Sequence, residues 1–504
     1  FILKQVHNIF NRYFVNLMNN KIYKKNPILV YLILSILFVI TVQQFDLYKG
    51  NAAHLIHSIK FFDSNKLQND WIANQENHLP LFTYFNYFLI KFFSTNGIYI
   101  VHTILLGICP FFLFLISKNL FPKIENIDFC IIWFSIFIFI FHENSFFSGV
   151  AGQSVIDAGY QPASFGTLIF IGIYLFLIKK NFLSILFICL AASFHPTYVL
   201  HTGFLILGFL AYFIMSKKYF DFFKSMIFYI ILILPITIFI ISNFIMIDKN
   251  SILIGQKILL ERIPHHANIH HWFTYKDIIS LLIYFFALFL VRNNFKFFVI
   301  FGVFGFCSIF LSLTQYFLIS NSLALTFPWR SSVFIIPVSS LIIVSYFINK
   351  IKLEGVKLRL FALSLIIITS LLFGLKSHYI KDINSKFDQK LELVKDIKKN
   401  FSSIERIIIP INLDYIRMNT GLPIFIDWKH HAFRYDQLIE WSLRVNLVNN
   451  FYGSKTYEDQ LKSLKKIQEI EYNSHILIKK DKLRVECNDL INHEIFMLVN
   501  IKEC

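Results

Sequence analysis

Long apolar segments separated by short polar turns dominate the first three quarters of the chain. A membrane-spanning helix needs about 20 largely apolar residues, and about eleven segments approach that length. These predicted spans are 28–45, 97–117, 127–141, 165–178, 182–195, 197–215, 226–247, 278–291, 297–318, 328–347 and 358–375. The pattern therefore predicts an α-helical polytopic membrane domain over residues 1–375.

The pattern changes at residue 376, after which apolar residues occur in short runs within a hydrophilic segment. Four strands and two helices are predicted there, with strands at 404–410, 422–428, 475–480 and 494–501 and helices at 436–452 and 459–470. Strands that alternate with helices are typical of a small α/β layer with a parallel or mixed sheet. We therefore expect a C-terminal α/β domain over residues 376–504.

The charge pattern predicts how the chain is oriented in the membrane. The net charge is +17, but only 16% of the residues are charged and 56% are hydrophobic, which excludes a disordered chain, a nucleic-acid partner and a disulfide scaffold. The positive-inside rule places short basic turns in the cytoplasm. These turns contain Lys21, Lys24, Lys25, Lys118, Lys123, Lys179, Lys180, Lys217, Lys218, Lys224, Arg292, Lys296, Lys350, Lys352, Lys357 and Arg359.

The segment 79–93 decides whether this orientation is consistent along the chain. As a helix lying in the membrane interface, it leaves every later basic turn in the cytoplasm; as a span, it reverses them. We choose the interfacial helix. The N-terminus is then cytoplasmic and residues 376–504 are extracytoplasmic, in a bacterial cytoplasmic membrane.

The first outer loop carries Asp63 and Asp70, seven residues apart, which share one face if the segment between them is helical. Such carboxylates can act as a general base or hold a divalent cation through oxygen ligands. They can also simply cap the ends of interfacial helices. The sequence favours Asp70 for chemistry and Asp63 for capping.

The segment 261–272 is rich in histidine and contains Arg262, His265 and His266. Histidines at this spacing can ligate zinc on a helix, but no cysteine or H-E-x-x-H pattern accompanies them. The alternative is recognition of an anionic group, with bidentate contacts from arginine and hydrogen bonds from neutral histidine. We favour the anion and predict no metal ligands.

Four further polar residues lie at the outer ends of predicted elements. His195 closes a helix–helix turn, Asp157 lies in a Gly- and Ser-rich loop, Arg330 begins the tenth span and Lys429 follows a predicted strand. Ionisable groups near membrane depth are costly and point to function. Each also has a structural alternative, such as a helix cap, an exposed loop, a side chain reaching the interface, or a surface that docks onto the membrane domain.

The layout and the segment FFDSNKLQNDW, with Asp63 and Asp70 at the matching positions, resemble the C-type (GT-C) integral membrane glycosyltransferase superfamily. Four further segments accompany FFDSNKLQNDW, namely AASFHPTY, RIPHHA, FPWRSS and RMNTGLPIFIDWKHH. They are most similar to an uncharacterised family of bacterial polytopic membrane proteins. The resemblance implies transfer of a sugar from a polyprenyl-phosphate donor to a lipid or glycan acceptor on the outer face. Asp70 or Asp63 would then be the base or a metal ligand, and Arg330, Arg262 and His265/His266 would neutralise the departing phosphate.

Two other classes of function stay open from the sequence. One is a transporter or flippase for an amphipathic solute, and the other is a non-catalytic membrane assembly protein. A transporter predicts ionisable groups at the middle of the spans, whereas nearly all those in this chain lie near the predicted outer ends.

Overall fold

The structure is a computed structural model that describes single positions between 32 and 43, residues 52–63, 67–122, 149–350 except 158, positions 368 and 372, and residues 389–399, 405–479, 489–492 and 496–501. The predicted span 127–141 lies outside the described residues, as do most of 28–45 and 358–375 and the predicted domain boundary at residue 376.

The described residues are mostly helical. The helices are α1 Ile56–Phe62, α2 Pro80–Leu120, α3 Thr167–Leu177, α4 Asn181–Phe194, α5 Tyr198–Met215, α6 Tyr219–Ile240, α7 Lys249–Arg262, α8 Pro264–Ala267, α9 Ile269–Trp272, α10 Tyr275–Leu290, α11 Phe295–Leu318, α12 Asn321–Ala324, α13 Ser332–Lys350, α14 Gln389–Lys399, α15 Tyr415–Thr420, α16 Tyr435–Gly453 and α17 Tyr457–Ile470.

Five of the described helical segments are long and apolar enough to cross a membrane. They are Pro80–Leu120, Tyr198–Met215, Tyr219–Ile245, Phe295–Leu318 and Asn321–Phe347, and two shorter apolar segments are Pro162–Leu177 and Asn181–Phe194. A helical membrane protein is therefore supported, while the count of eleven spans and the bacterial location stay predictions.

Helix α2 contains the segment 79–93 and bends where that segment ends. Ser94 has a φ of 54° and a ψ of −160°, so residues 80–93 form a helix distinct from the one that follows. Phe82 and Asn86 on this first helix are buried, whereas Phe88 and Phe92 are exposed. One buried and one exposed apolar face suit a helix at a membrane interface, which stays a prediction.

Some of the apolar helices pack closely because glycine lies where they contact each other. A Cβ atom at Gly208 of α5 would lie 2.7 Å from the Ile300 carbonyl oxygen of α11, so only glycine allows this approach. Helices α4 and α5 are joined by a turn at His195. At 1.5 Å per residue, α4 is about 21 Å long and α5 about 27 Å. The start of α4 and the end of α5 therefore lie at the end of the bundle away from the His195 turn.

The C-terminal region contains a four-stranded mixed sheet. Strands β1 Ile407–Ile408, β2 His475–Lys479, β3 Asp489–Asn492 and β4 Phe496–Asn500 lie in the order β1-β2-β4-β3. Strand β1 is parallel to β2, and β4 is antiparallel to both β2 and β3. Helices α16 and α17 form close to the predicted 436–452 and 459–470.

Two features of this region differ from the sequence expectation. The predicted strand 422–428 is buried from residue 422 to residue 427 but forms only one parallel bridge, between Ile424 and Ile407. The region also shares a hydrophobic core with the first loop, since Leu55 and Phe82 lie in the same cluster as Trp441. It therefore packs against the first loop, and its extracytoplasmic location stays a prediction.

Candidate functional site

Asp70 lies in a buried ion pair. Its side chain is fully buried, and its Oδ2 accepts hydrogen bonds from Arg417 Nε at 2.8 Å and from the Ile424 backbone N–H at 2.9 Å. Its Oδ1 accepts from the Ala73 backbone N–H at 3.0 Å. A carboxylate engaged on both oxygens and closed to solvent is poorly placed to take a proton from a substrate hydroxyl. The geometry favours a structural role, and catalysis by Asp70 stays a prediction.

The residues on either side of Asp70 contact two further arginines of the C-terminal region. Arg406 donates a hydrogen bond to the Asn69 carbonyl oxygen, and Arg444 lies 4.6 Å from the centre of the Trp71 ring. Three consecutive residues of the first loop are therefore each held by an arginine from residues 405–479. These three arginine contacts join the first loop to the C-terminal region.

The second carboxylate on Arg417 is Asp427, which is also fully buried. Its Oδ1 accepts the His430 backbone N–H at 2.7 Å, and its backbone carbonyl accepts the Trp441 indole N–H at 3.1 Å. Burial acts to raise the pKa of Asp427, but the Arg417 charge and the His430 contacts outweigh it and lower that pKa. Arg417 therefore lies between two buried carboxylates.

Asp63 is on a different element from Asp70. Helix α1 ends at Phe62, and the Asp63 backbone N–H donates to the Ile59 carbonyl oxygen at 3.0 Å. Asp70 lies in a turn before a short 3-10 helix, Ile72–Asn74. A shared helical face required a helical segment from Asp63 to Asp70, and neither of these two residues is itself helical.

A second group of polar side chains converges elsewhere, and we call it the histidine cleft. It contains His54, His78, His195, His266, Arg330 and Lys429. These residues come from six separate segments of the chain. His54 lies within electrostatic range of Lys429 and Arg330, and His195 within range of Arg330 and His54. The structure thus brings four predicted residues together: His195, His266, Arg330 and Lys429.

Arg330 has only neutral partners among the described residues. Its two terminal nitrogens donate to Gln153 Oε1 at 2.9 Å and to Thr197 Oγ1 at 3.2 Å. The Gln153 amide nitrogen lies 3.1 Å from His266 Nδ1 and extends the network. Arg417, in contrast, lies between two carboxylates. A partly buried guanidinium without a counter-ion is costly unless a ligand supplies the negative charge.

The histidines of the cleft are held in their neutral form. Burial, followed by the charge of Lys429, lowers the pKa of His54 to about 4. Burial, followed by His265 and Arg330, lowers the pKa of His266 to about 4. A neutral imidazole has one N–H donor and one acceptor nitrogen, so it can donate to an anion or accept a proton.

Sequence reasoning missed part of this cleft. His78 stacks on Phe433 with ring centroids 3.3 Å apart, and His431 lies 4.4 Å from the same ring. Burial lowers the pKa of His431 to about 3 and that of His78 well below its usual value. The only signal in the sequence was the number of histidines in the predicted outer loops.

Arg262 holds the segment that carries Lys429. One of its terminal nitrogens donates to the carbonyl oxygens of Trp428 and Lys429, both at 3.0 Å. Its guanidinium carbon lies 5.7 Å from the centre of the Trp441 ring, and burial lowers its pKa to about 10. Arg262 therefore positions Lys429, whereas direct contact with a ligand stays a prediction.

The two remaining predicted residues lie at more exposed positions. His265 is exposed and packs on His266 with ring centroids 4.0 Å apart. Asp157 is exposed too, and its backbone carbonyl accepts a hydrogen bond from His102 Nε2 at 3.2 Å. The structure therefore places His265 at the edge of the cleft and Asp157 beside His102.

An apolar cavity of about 200 Å³ lies among the described helices. It lies between α10, α11 and α13, and its lining includes Val150, Trp272, Tyr284, Trp329 and Ser332. Trp329 directly precedes Arg330 in the chain, and the Trp272 and Trp329 rings are 5.1 Å apart. A charged cleft and an apolar cavity therefore share one short segment of the chain.

The chain matches no protein-family model, and no curated protein is detectably similar to it. The resemblance to the C-type glycosyltransferases therefore stays a prediction. It depends on the layout and on short segments of the sequence.

Proposed function

We propose that the protein is an integral membrane glycosyltransferase that binds the phosphate group of a polyprenyl-phosphate sugar in the histidine cleft. The observation that carries this proposal is Arg330, which is partly buried and has no carboxylate partner among the described residues. The sugar-transfer reaction comes from the family resemblance, while the phosphate site comes from the geometry.

A phosphate suits the donors that the cleft presents. Arginine recognises phosphate oxygens in bidentate geometry, and charge-assisted hydrogen bonds are about twice as strong as neutral ones. The neutral imidazoles of His54 and His266 add donors without adding repulsion in the empty cleft. A bound anion then favours their protonated form and strengthens the interaction.

The apolar cavity suits the hydrocarbon part of such a ligand. The exposed surface of its lining is almost wholly apolar, and the lining includes Trp329, the residue that directly precedes Arg330. A ligand with one phosphate and a long apolar chain can therefore place its headgroup in the cleft and its first chain segment in the cavity. A water-soluble sugar nucleotide would leave the cavity unused.

The transfer step needs stabilisation of the leaving phosphate and removal of a proton from the acceptor hydroxyl. The bond between the sugar C1 and the phosphate oxygen breaks, and the electron pair stays on the phosphate, where Arg330 stabilises the developing charge. The acceptor hydroxyl oxygen forms the new bond to C1, and its proton passes to a neutral imidazole such as His54 or His195. The acceptor is a lipid or a cell-surface glycan.

The test is binding of a polyprenyl phosphate to the purified protein in lipid nanodiscs, with the variant Arg330→Gln. A hydrogen bond to a charged group is worth about 1.5–3 kcal/mol, so we expect binding to weaken about 10- to 100-fold. The matched control is Arg292→Gln, which removes an exposed arginine and should leave binding unchanged. Equal binding by wild type and Arg330→Gln would refute the phosphate site.

The reaction itself needs a second measurement. We expect cells that lack the protein to lose one sugar from a surface lipid or glycan, and Arg330→Gln to fail to restore it. Binding of polyprenyl phosphate together with unchanged surface glycans would contradict the transferase. That result would favour the flippase that the sequence left open.

A further inference from the structure

Two turns between membrane helices repeat the same unusual backbone. Lys179 between α3 and α4 has a φ of 65°, and Lys217 between α5 and α6 has a φ of 56°. In each turn the next lysine donates its backbone N–H to a carbonyl of the preceding helix, from Lys180 to Leu175 and from Lys218 to Phe213, both at 2.8 Å. Glycine is the usual residue in this left-handed region. Both turns instead carry a lysine pair.

A third segment meets the same end of the bundle. Lys296, near the start of α11, donates to the Phe176 carbonyl oxygen at 2.5 Å and lies 4.3 Å from the centre of the Phe176 ring. Lys296 and Lys218 are 5.5 and 5.7 Å from the centre of the Tyr212 ring. Lys179 is also within electrostatic range of Lys296. Cations from three turns therefore converge around two aromatic rings.

Within the described part of the chain, no ion pair neutralises this group. Lys179, Lys180, Lys217 and Lys218 are exposed, and Lys296 is half-buried. Exposed apolar side chains border them, with Phe182 at 51%, Met215 at 58% and Phe220 at 71% exposure. Water surrounds an ordinary lysine patch on all sides, whereas this one is surrounded by surface suited to lipid chains.

We propose that these residues, Lys179, Lys180, Lys217, Lys218 and Lys296, form a site for the phosphate-diester headgroup of an anionic membrane lipid. We call this site the lysine-turn cluster. It lies at the ends of α4 and α5 opposite the histidine cleft, separated by helices about 21 and 27 Å long. That length approaches the roughly 30 Å hydrocarbon core of a bilayer. The cluster and the cleft then face opposite leaflets, and this proposal does not depend on the proposed reaction.

The chemistry of the site fits a lipid headgroup. Lysine ammonium groups bind phosphate as point charges, and basic groups between membrane helices recognise anionic headgroups. The exposed apolar border then accepts the acyl chains of the same molecule. A free phosphate ion would use the lysines but gain nothing from that border.

The experiment compares nanodiscs of zwitterionic phosphatidylcholine with nanodiscs that also contain phosphatidylglycerol. Native mass spectrometry of the released protein measures which lipid stays bound. The variant is Lys179→Gly, Lys217→Gly and Lys218→Gln, in which glycine fits both left-handed positions and protects the fold. We expect wild type to retain phosphatidylglycerol at least 10-fold over phosphatidylcholine, and the variant to lose that preference.

The matched control removes three other exposed lysines, as Lys249→Gln, Lys257→Gln and Lys276→Gln. It loses the same net charge and should retain the wild-type preference. Equal retention by the variant and the control would overturn the proposal. Displacement of the lipid by millimolar inorganic phosphate would also overturn it, because a site for free phosphate alone needs no apolar border. If the triple variant fails to fold, Lys179→Gly with Lys217→Gly takes its place and should show a partial loss of preference.

Discussion

Replacing Asp70 with asparagine tests whether this carboxylate holds the first loop to the C-terminal region or performs chemistry. The change removes one of the two buried carboxylates on Arg417 and keeps the shape of the side chain. The asparagine oxygen can replace only part of the three hydrogen bonds that Asp70 accepts from Arg417, Ile424 and Ala73. The amide nitrogen faces donors and repels them.

The expected loss of folding stability follows from the ion pair between Asp70 and Arg417. Breaking a buried ion pair by removing one partner costs about 3–5 kcal/mol. Arg417 keeps Asp427, so we expect the lower end, about 3 kcal/mol, which is roughly a 100-fold change in the folding equilibrium constant. The matched control is Glu469→Gln, which removes an exposed carboxylate on α17 and for which we expect a change within about 0.5 kcal/mol.

Thermal unfolding of the purified variants in detergent, together with their abundance in membranes, measures both effects. We expect Asp70→Asn to unfold at a clearly lower temperature than wild type and to accumulate less, while Glu469→Gln matches wild type. A stable Asp70→Asn protein that nevertheless abolishes surface glycosylation would refute the structural role and restore Asp70 as a catalytic base.

Three further outcomes follow from the described contacts. Stability should fall as pH drops from about 6.5 to 4. The pKa of His54 and of His266 is about 4 in the folded protein, so the unfolded chain binds protons first. An unfolding temperature that does not change with pH in this window would contradict the prediction. Polyprenyl phosphate should bind more tightly over the same fall in pH, measured by titration in nanodiscs, because the anion favours the protonated imidazoles. Gly255→Val should cost about 1–3 kcal/mol in thermal unfolding, since a Cβ there lies 2.6 Å from the Tyr435 Cβ, whereas Gly453→Ala meets nothing within 4 Å and should be neutral.

Helices were the most predictable part of this protein. The predicted segment 182–195 corresponds to Asn181–Phe194, and 297–318 corresponds to Phe295–Leu318. Apolar run length and flanking charges are local properties, so they determine where a membrane helix begins and ends. The segment 422–428 shows the limit. Leu422, Ile424, Phe425 and Ile426 are buried as expected, but burial alone does not determine which strand, if any, the segment pairs with.

The candidate site was predictable in its chemistry but only partly in its membership. The sequence placed Arg330, His195, His266 and Lys429 at the predicted outer ends of their elements, and the structure brings them together. His78 was missed because nothing local distinguishes a histidine that faces a cleft from one on a surface. Convergence of segments far apart in the chain is visible only after folding.

Asp70 and Arg330 show most clearly what the sequence determines and what only the tertiary structure determines. The sequence by itself determined an apolar, helical, membrane-type chain with basic turns, and it identified which loops carry ionisable groups. Only the tertiary structure decided that Asp70 meets Arg417, 347 positions away, while Arg330 meets only neutral partners among the residues that the structure describes. The physical reason is that apolar periodicity acts over a few residues, whereas the pairing of a charge depends on which distant segment packs beside it.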